Sequence, residues 1–159
     1  MSKQFCSLLA FNYMKVLKAI LAGFAGAAAL NILHETVRRF DPDAPRVDLL
    51  GEEALTKSLK SLNIKAPTGD NLYAATLAGD LISNGIYYTT IAMSGSKNLY
   101  LKGAVAGLTA GLGAVKLPDK MGLDDEPVTK TDKTKALTVA WYLIGGLVTA
   151  AVFNRLNRD

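Results

Sequence analysis

The chain has 159 residues, a length that fits one domain, and half of them are hydrophobic while only 8% are aromatic. Its formal net charge is +4, from 18 basic and 14 acidic residues, but the basic residues are scattered through loops and span ends with no basic stripe, which excludes a nucleic-acid-binding surface. The one cysteine, Cys6, excludes an internal disulfide and a dithiol redox cycle within the chain, and it reads as an inert apolar residue.

Few aromatics and 14 glycines suit membrane helices, which use small residues to bring backbones together. Four apolar runs of spanning length, about residues 16–33, 72–93, 99–115 and 136–153, predict an all-α, polytopic membrane protein: a bundle of four transmembrane helices. Only helices or closed barrels satisfy the backbone in lipid, and these runs lack the alternation of barrel strands.

Phe5, Leu8, Leu9 and Phe11 extend the first run backwards, with Lys15 and Lys18 reaching for headgroups. From Met14 onward, MKVLK and the apolar stretch behind it have the form of a signal peptide. The pattern continues through residues 31–39 without a break residue, which argues against cleavage. Pro42 and Pro45 end any helix there. Residues 48–62 predict one short amphipathic helix, with Leu55, Leu59 and Leu62 on one face and Glu53 paired with Lys57. Gly51 and Glu52 break the leucine row one turn earlier. This helix lies at the membrane surface or against the bundle, or serves as a solvated connector.

The turn Pro67-Thr68-Gly69-Asp70 offers Thr68 or Asp70 as N-cap of the second run. Ser94-Gly95-Ser96-Lys97-Asn98 is so short that the second and third runs should be antiparallel neighbours. The third run is the shortest and crosses only a thin region or with little tilt. Pro118 and Pro127 punctuate the loop that follows it, and the fourth run carries Trp141 and Tyr142. More of the 18 basic residues fall in the two longer loops than on the terminal side, which leans towards cytoplasmic loops.

Asp80 stands in the middle of the second run, where a carboxylate costs from about 2.5 to more than 10 kcal/mol unless it finds a partner, water or a proton. Thr76 and Asn84, four residues either side, share its helix face, flanked by Ser83 and Tyr87. This stripe either lines a polar path, with Asp80 carrying a proton or cation, or hydrogen-bonds to a neighbouring helix and locks the bundle. Asn31, His34, Glu35 and Arg38 are spaced to form one polar edge at the end of the first run. His34 is the only histidine, which excludes a multi-histidine metal or haem site within one chain. Asp80 is expected at mid-depth and His34 at a span end, a separation that argues against a lipid-acting enzyme built from His34, Glu35 and Asp80.

Gly103, Gly107 and Gly111, with Ala106, Ala110 and Ala114 beside them, form a small-residue stripe for packing inside the bundle or between chains. Gly23, Gly26 and Ala27, or Gly145-Gly146, supply facing surfaces. Arg38, Arg39 and Arg46 mix with Asp41 and Asp43 in a loop that is either neutralised in solvent or a clamp for headgroups. There is no Ser–His–acid set, no phosphate-binding loop, no paired carboxylates within a span and no cysteine cluster. No cofactor and no metal are expected, and the few catalytic candidates point away from an enzyme. The function expected is that of a scaffold or accessory subunit using glycine-rich helix packing. The alternative is a small oligomeric transporter or proton-coupled carrier using Asp80. Expected partners are the lipid bilayer and further copies or other membrane proteins, in a bacterial inner (plasma) membrane crossed several times.

Overall fold

The computed structural model describes residues 3–95 and 97–158, with side chains from Tyr13 onward, so the Cys6 side chain and Ser96 lie outside the described residues. Six helices and, among the described residues, no strand make up the chain. They are α1 (Lys3–Val37), α2 (Val47–Ser61), α3 (Asp70–Met93), α4 (Leu99–Lys120), α5 (Glu126–Thr129) and α6 (Asp132–Leu156). The all-α expectation holds, and α2 is the helix expected at residues 48–62.

Several boundaries move, each for a local reason. α1 runs about a turn past residue 33 and stops before Pro42. α3 takes neither Thr68 nor Asp70 as its N-cap. Gly69 holds that position at φ 58°, a left-handed angle that glycine adopts without strain, and Asp70 enters the first turn, where the helix dipole favours it. α4 continues through Pro118 to Lys120, because a proline one turn from a helix end forfeits a single backbone bond and its ring is buried here. The resulting 22 residues remove the shortness expected of the third run. α6 opens on a reciprocal capping box between Thr131 and Thr134.

The four long helices form a bundle in which α1 packs on α3 and α6, and α4 packs chiefly on α6. Side-chain pairings give the directions. Gly23 meets Thr89 while Arg38 meets Tyr73, so α1 and α3 are antiparallel. Gly103 meets Gly146 and Gly111 meets Val139, so α4 and α6 are antiparallel too. α3 and α4 are antiparallel, as expected, and the Tyr87 hydroxyl donates to the Ala106 carbonyl at 2.9 Å. They are minor neighbours all the same, because the glycines of α4 face α6 and draw it there.

Residue size is sorted from inside to outside. The interior holds Ala19, Ala22, Ala27, Ala92 and Ala150, the buried threonines Thr138 and Thr149, and glycines at helix contacts, with Tyr88 and Phe153 as its largest fully buried side chains. Leu101, Val105 and Leu112 of α4, Ile82 and Ile86 of α3, and Ile20, Leu21 and Ile32 of α1 face outward. Two helices are long and apolar enough to cross a membrane: the Tyr13–Val37 part of α1 and α6, each with mean hydropathy 1.9. α3 and α4 have the length but not the hydropathy, because Asp80, Asn84 and paired tyrosines dilute one, and Lys102, Lys116 and glycines the other. The expected four apolar spans are thus two by composition.

α2 lies across one end of the bundle against α3, not free in solvent. Its ends are tied to the chain between α4 and α6. Arg46 N–H donates to the Pro127 carbonyl at 2.8 Å, Asp124 N–H to Glu53 at 2.9 Å, and the Lys57 ammonium to the Gly122 carbonyl at 2.5 Å. The expected leucine face is only partly used. Leu55 turns inward, whereas Leu62 falls beyond the helix and is 67% exposed.

Candidate functional site

α1, α2 and α3 enclose a cavity of about 240 Å³ under the α2 end of the bundle. Asn31, His34 and Glu35 line it from α1, Asp48 and Leu55 from α2, and Tyr73, Thr76 and Asp80 from α3. Both polar sets expected from sequence therefore meet in one place. The supposed depth separation of His34 and Asp80 is corrected: α1 extends past residue 33, which sets His34 inside the helix and on the same cavity as Asp80.

At the mouth, Asp48 is the centre of an ion cluster. Arg38 reaches it at 2.6 Å and Arg46 at 2.7 Å, and its side chain is only 7% exposed. Arg38 also holds Glu35 at 2.6 Å and donates to the Tyr73 hydroxyl at 3.2 Å. Burial by itself would raise the Asp48 carboxyl. The hydrogen bonds and charge of Arg46, with Arg38 behind them, reverse this and hold it below the ordinary carboxylate range. Sequence reasoning missed Asp48; its signal was an acid two residues from Arg46 in the first turn of an amphipathic helix. The loop arginines Arg38 and Arg46 are neutralised within the chain, and Lys133 does the same for Asp41 at 2.7 Å.

His34 is 2% exposed, and its Nε2 accepts the Val47 N–H at 3.2 Å. That bond requires an unprotonated Nε2, so the ring is neutral and carries its proton on Nδ1. Trp141 meets the ring edge-on with centroids 5.1 Å apart. Thus engaged, His34 positions the start of α2 and is not free to act as a base.

Deeper in, Asn84 donates to Asp80 Oδ1 at 2.9 Å. Asn31 stands beside the carboxylate from α1 as a second, looser amide donor, while its amide also donates to the Ala27 carbonyl of its own helix at 3.1 Å. Asp80 Oδ2 and the Thr76 hydroxyl oxygen are buried with no hydrogen-bond partner. Each such orphan costs about 1–3 kcal/mol, and more when the group is charged. The lock between helices comes from other residues of α3: Tyr87 bonds to α4, and the Tyr88 hydroxyl donates to the Tyr142 carbonyl on α6 at 2.8 Å. Gly51 makes the site possible, since a Cβ there would lie 2.6 Å from the Thr76 methyl. The break in the leucine row is a point of close approach between α2 and α3.

A second, apolar cavity of about 430 Å³ lies on the other side of α3, between α2, α4 and α6, and Asp80 borders it as well. Lys102, inside the third expected span, reaches the Ser94 carbonyl at the opposite end of the bundle and offers Asp80 nothing. Gly103, Gly107 and Gly111 are buried against α6 of the same chain. Among the described residues no group of His, Cys, Asp and Glu is arranged to hold a metal ion. Compared with known proteins, the chain matches no family model, no curated protein and no solved structure.

Proposed function

We propose that this is a four-span membrane protein acting as a small, oligomeric carrier, with Asp80 as the group that takes up a proton or another cation. The observation that carries the reading is the Asp80 carboxylate itself: one oxygen paired with Asn84, the other buried without a partner, and a cavity bordering it on each side of α3. Intramembrane carboxylates facing a cavity mark ion and proton paths. The four-span arrangement is supported by the outward aliphatic residues on α1, α3 and α4, which suit lipid tails and are a liability in water. On this reading the protein belongs in a bacterial inner (plasma) membrane, crossed several times.

The test is flux. Reconstituted in liposomes with a pH-sensitive dye inside, the wild type should relax an imposed proton gradient, and Asp80→Asn should slow that relaxation by about tenfold or more. Equal rates for the two proteins refute the carrier.

The scaffold or accessory-subunit reading draws on a different observation. The glycine stripe is occupied within the chain, so association with other membrane proteins would use the exposed ridge of Tyr100, Leu101, Val105, Leu108 and Leu112 on α4.

A further inference from the structure

We infer that the cavity beside Asp80 receives an amphiphilic organic ammonium, its head on Asp80 Oδ2 and the Thr76 hydroxyl and its alkyl part leaving between α1 and α3. This rests on the carrier reading and names the cargo. Charge comes first. Glu35, Asp48 and Asp80 face two guanidinium groups, those of Arg38 and Arg46, and both are spent on Glu35 and Asp48. With His34 neutral, an ionised Asp80 leaves the cavity one positive charge short, and the deficit sits at that carboxylate. An anion finds no free cation there, and a neutral amphiphile leaves the deficit in place.

Donor count separates an ammonium from a metal ion. Among the described residues the buried side-chain oxygens without a partner are two, Asp80 Oδ2 and the Thr76 hydroxyl, and Thr76 is only 7% exposed. Hard cations take about six to eight oxygens. A primary ammonium has three donors, and two oxygens plus a water or carbonyl satisfy it. The remaining wall is apolar at Leu55, Leu77 and Ala75.

Size and opening give the alkyl part. At about 240 Å³ the cavity is below the range of about 300–1,000 Å³ that encloses a whole drug-sized ligand, so it holds a head and its first carbons. The lining includes Ala75, Gly79 and Ser83, which are exposed on the outer face of α3. Nothing lies within 4 Å of where a Gly79 side chain would begin. The opening therefore faces sideways, where lipid tails lie in the four-span arrangement.

The experiment titrates n-hexylammonium, n-hexanol and potassium ion into the purified full chain in mild detergent. Trp141, the only tryptophan and a neighbour of the cavity-lining His34, reports binding by fluorescence. Hexylammonium should give a saturable change, weakened about tenfold or more by Asp80→Asn and several-fold by Thr76→Val, which keeps the methyl against Gly51. Gly79→Leu, which places a side chain in the opening, should weaken hexylammonium several-fold. Hexanol or potassium saturating as tightly as hexylammonium, or hexylammonium binding unchanged by both Asp80→Asn and Thr76→Val, overturns the inference. Proton flux that depends on Asp80 without any ammonium response sinks the ammonium alone; flux indifferent to Asp80 removes the carrier reading and the inference with it.

Discussion

Asp48 shows how a charge is kept under cover at the end of a bundle. Two arginines hold it, and its folded-state carboxyl lies below the unfolded value. A depressed carboxyl stabilises the fold above the unfolded range, near pH 4, and that contribution fades as pH falls through the folded value. Asp48→Asn should therefore destabilise the protein by about 2 kcal/mol at pH 7, less than a fully buried pair because Arg46 is half exposed. Thermal melts in detergent should show the gap between wild type and variant closing below about pH 4; a gap independent of pH refutes the ion-pair account. The residues of the cavity were only partly legible in the sequence. Helical spacing is enough to place Thr76, Asp80 and Asn84 on one face, and Asn31, His34, Glu35 and Arg38 on another. That the two faces meet depends on the register of α1 against α3, set by contacts such as Gly23 on Thr89 and Phe24 on Gly85, which no single-helix pattern contains.

At the level of whole helices, the glycine stripe of α4 is an internal device. A Cβ on Gly107 would crowd the Tyr142 carbonyl and Leu143 Cα, and one on Gly111 the Cα of Val139. Gly107→Ile should thus separate α4 from α6 and destabilise the chain by about 3 kcal/mol, seen as a lower melting temperature in detergent. Gly113→Ala, on the same helix with only the Leu117 side chain nearby, should change it by less than about 1 kcal/mol. Equal effects at the two positions would refute the close contact. The sequence alone left the partner of this stripe open, because identical small-residue spacing serves contacts within and between chains. Gly51 was less readable still: a gap in a row of leucines looks the same whether it is a flaw in the face or the seat of a neighbouring helix.

For the molecule as a whole, the bundle has two unlike ends. One carries α2, α5 and the Arg38–Asp48–Arg46 cluster, and the other the short turn around Gly95 and Lys97. In the four-span arrangement these ends lie on opposite faces of the bilayer. With Cys6 replaced by Ser, cysteines introduced at Lys60 and at Asn98 should be labelled by a membrane-impermeant thiol reagent from opposite sides of sealed vesicles. Labelling of both from one side would reduce the spans to fewer than four. Apolar run length marked all four long helices, and only the composition of α3 and α4 obscures their relation to the membrane. Asp80 and the α4 glycines, which help dilute that hydropathy, are also the residues that line the cavity and join α4 to α6. The straps that fasten α2 have a bearing on how the chain is made. Gly122, Asp124 and Pro127 all leave the ribosome after α2 and α3 are already out. A chain that ends before Gly122 keeps the ties of α2 to His34, Arg38 and α3 but lacks the three that fasten its ends to the segment between α4 and α6. The lining of the cavity, residues 31–83, is therefore synthesised before the chain that fastens its cover.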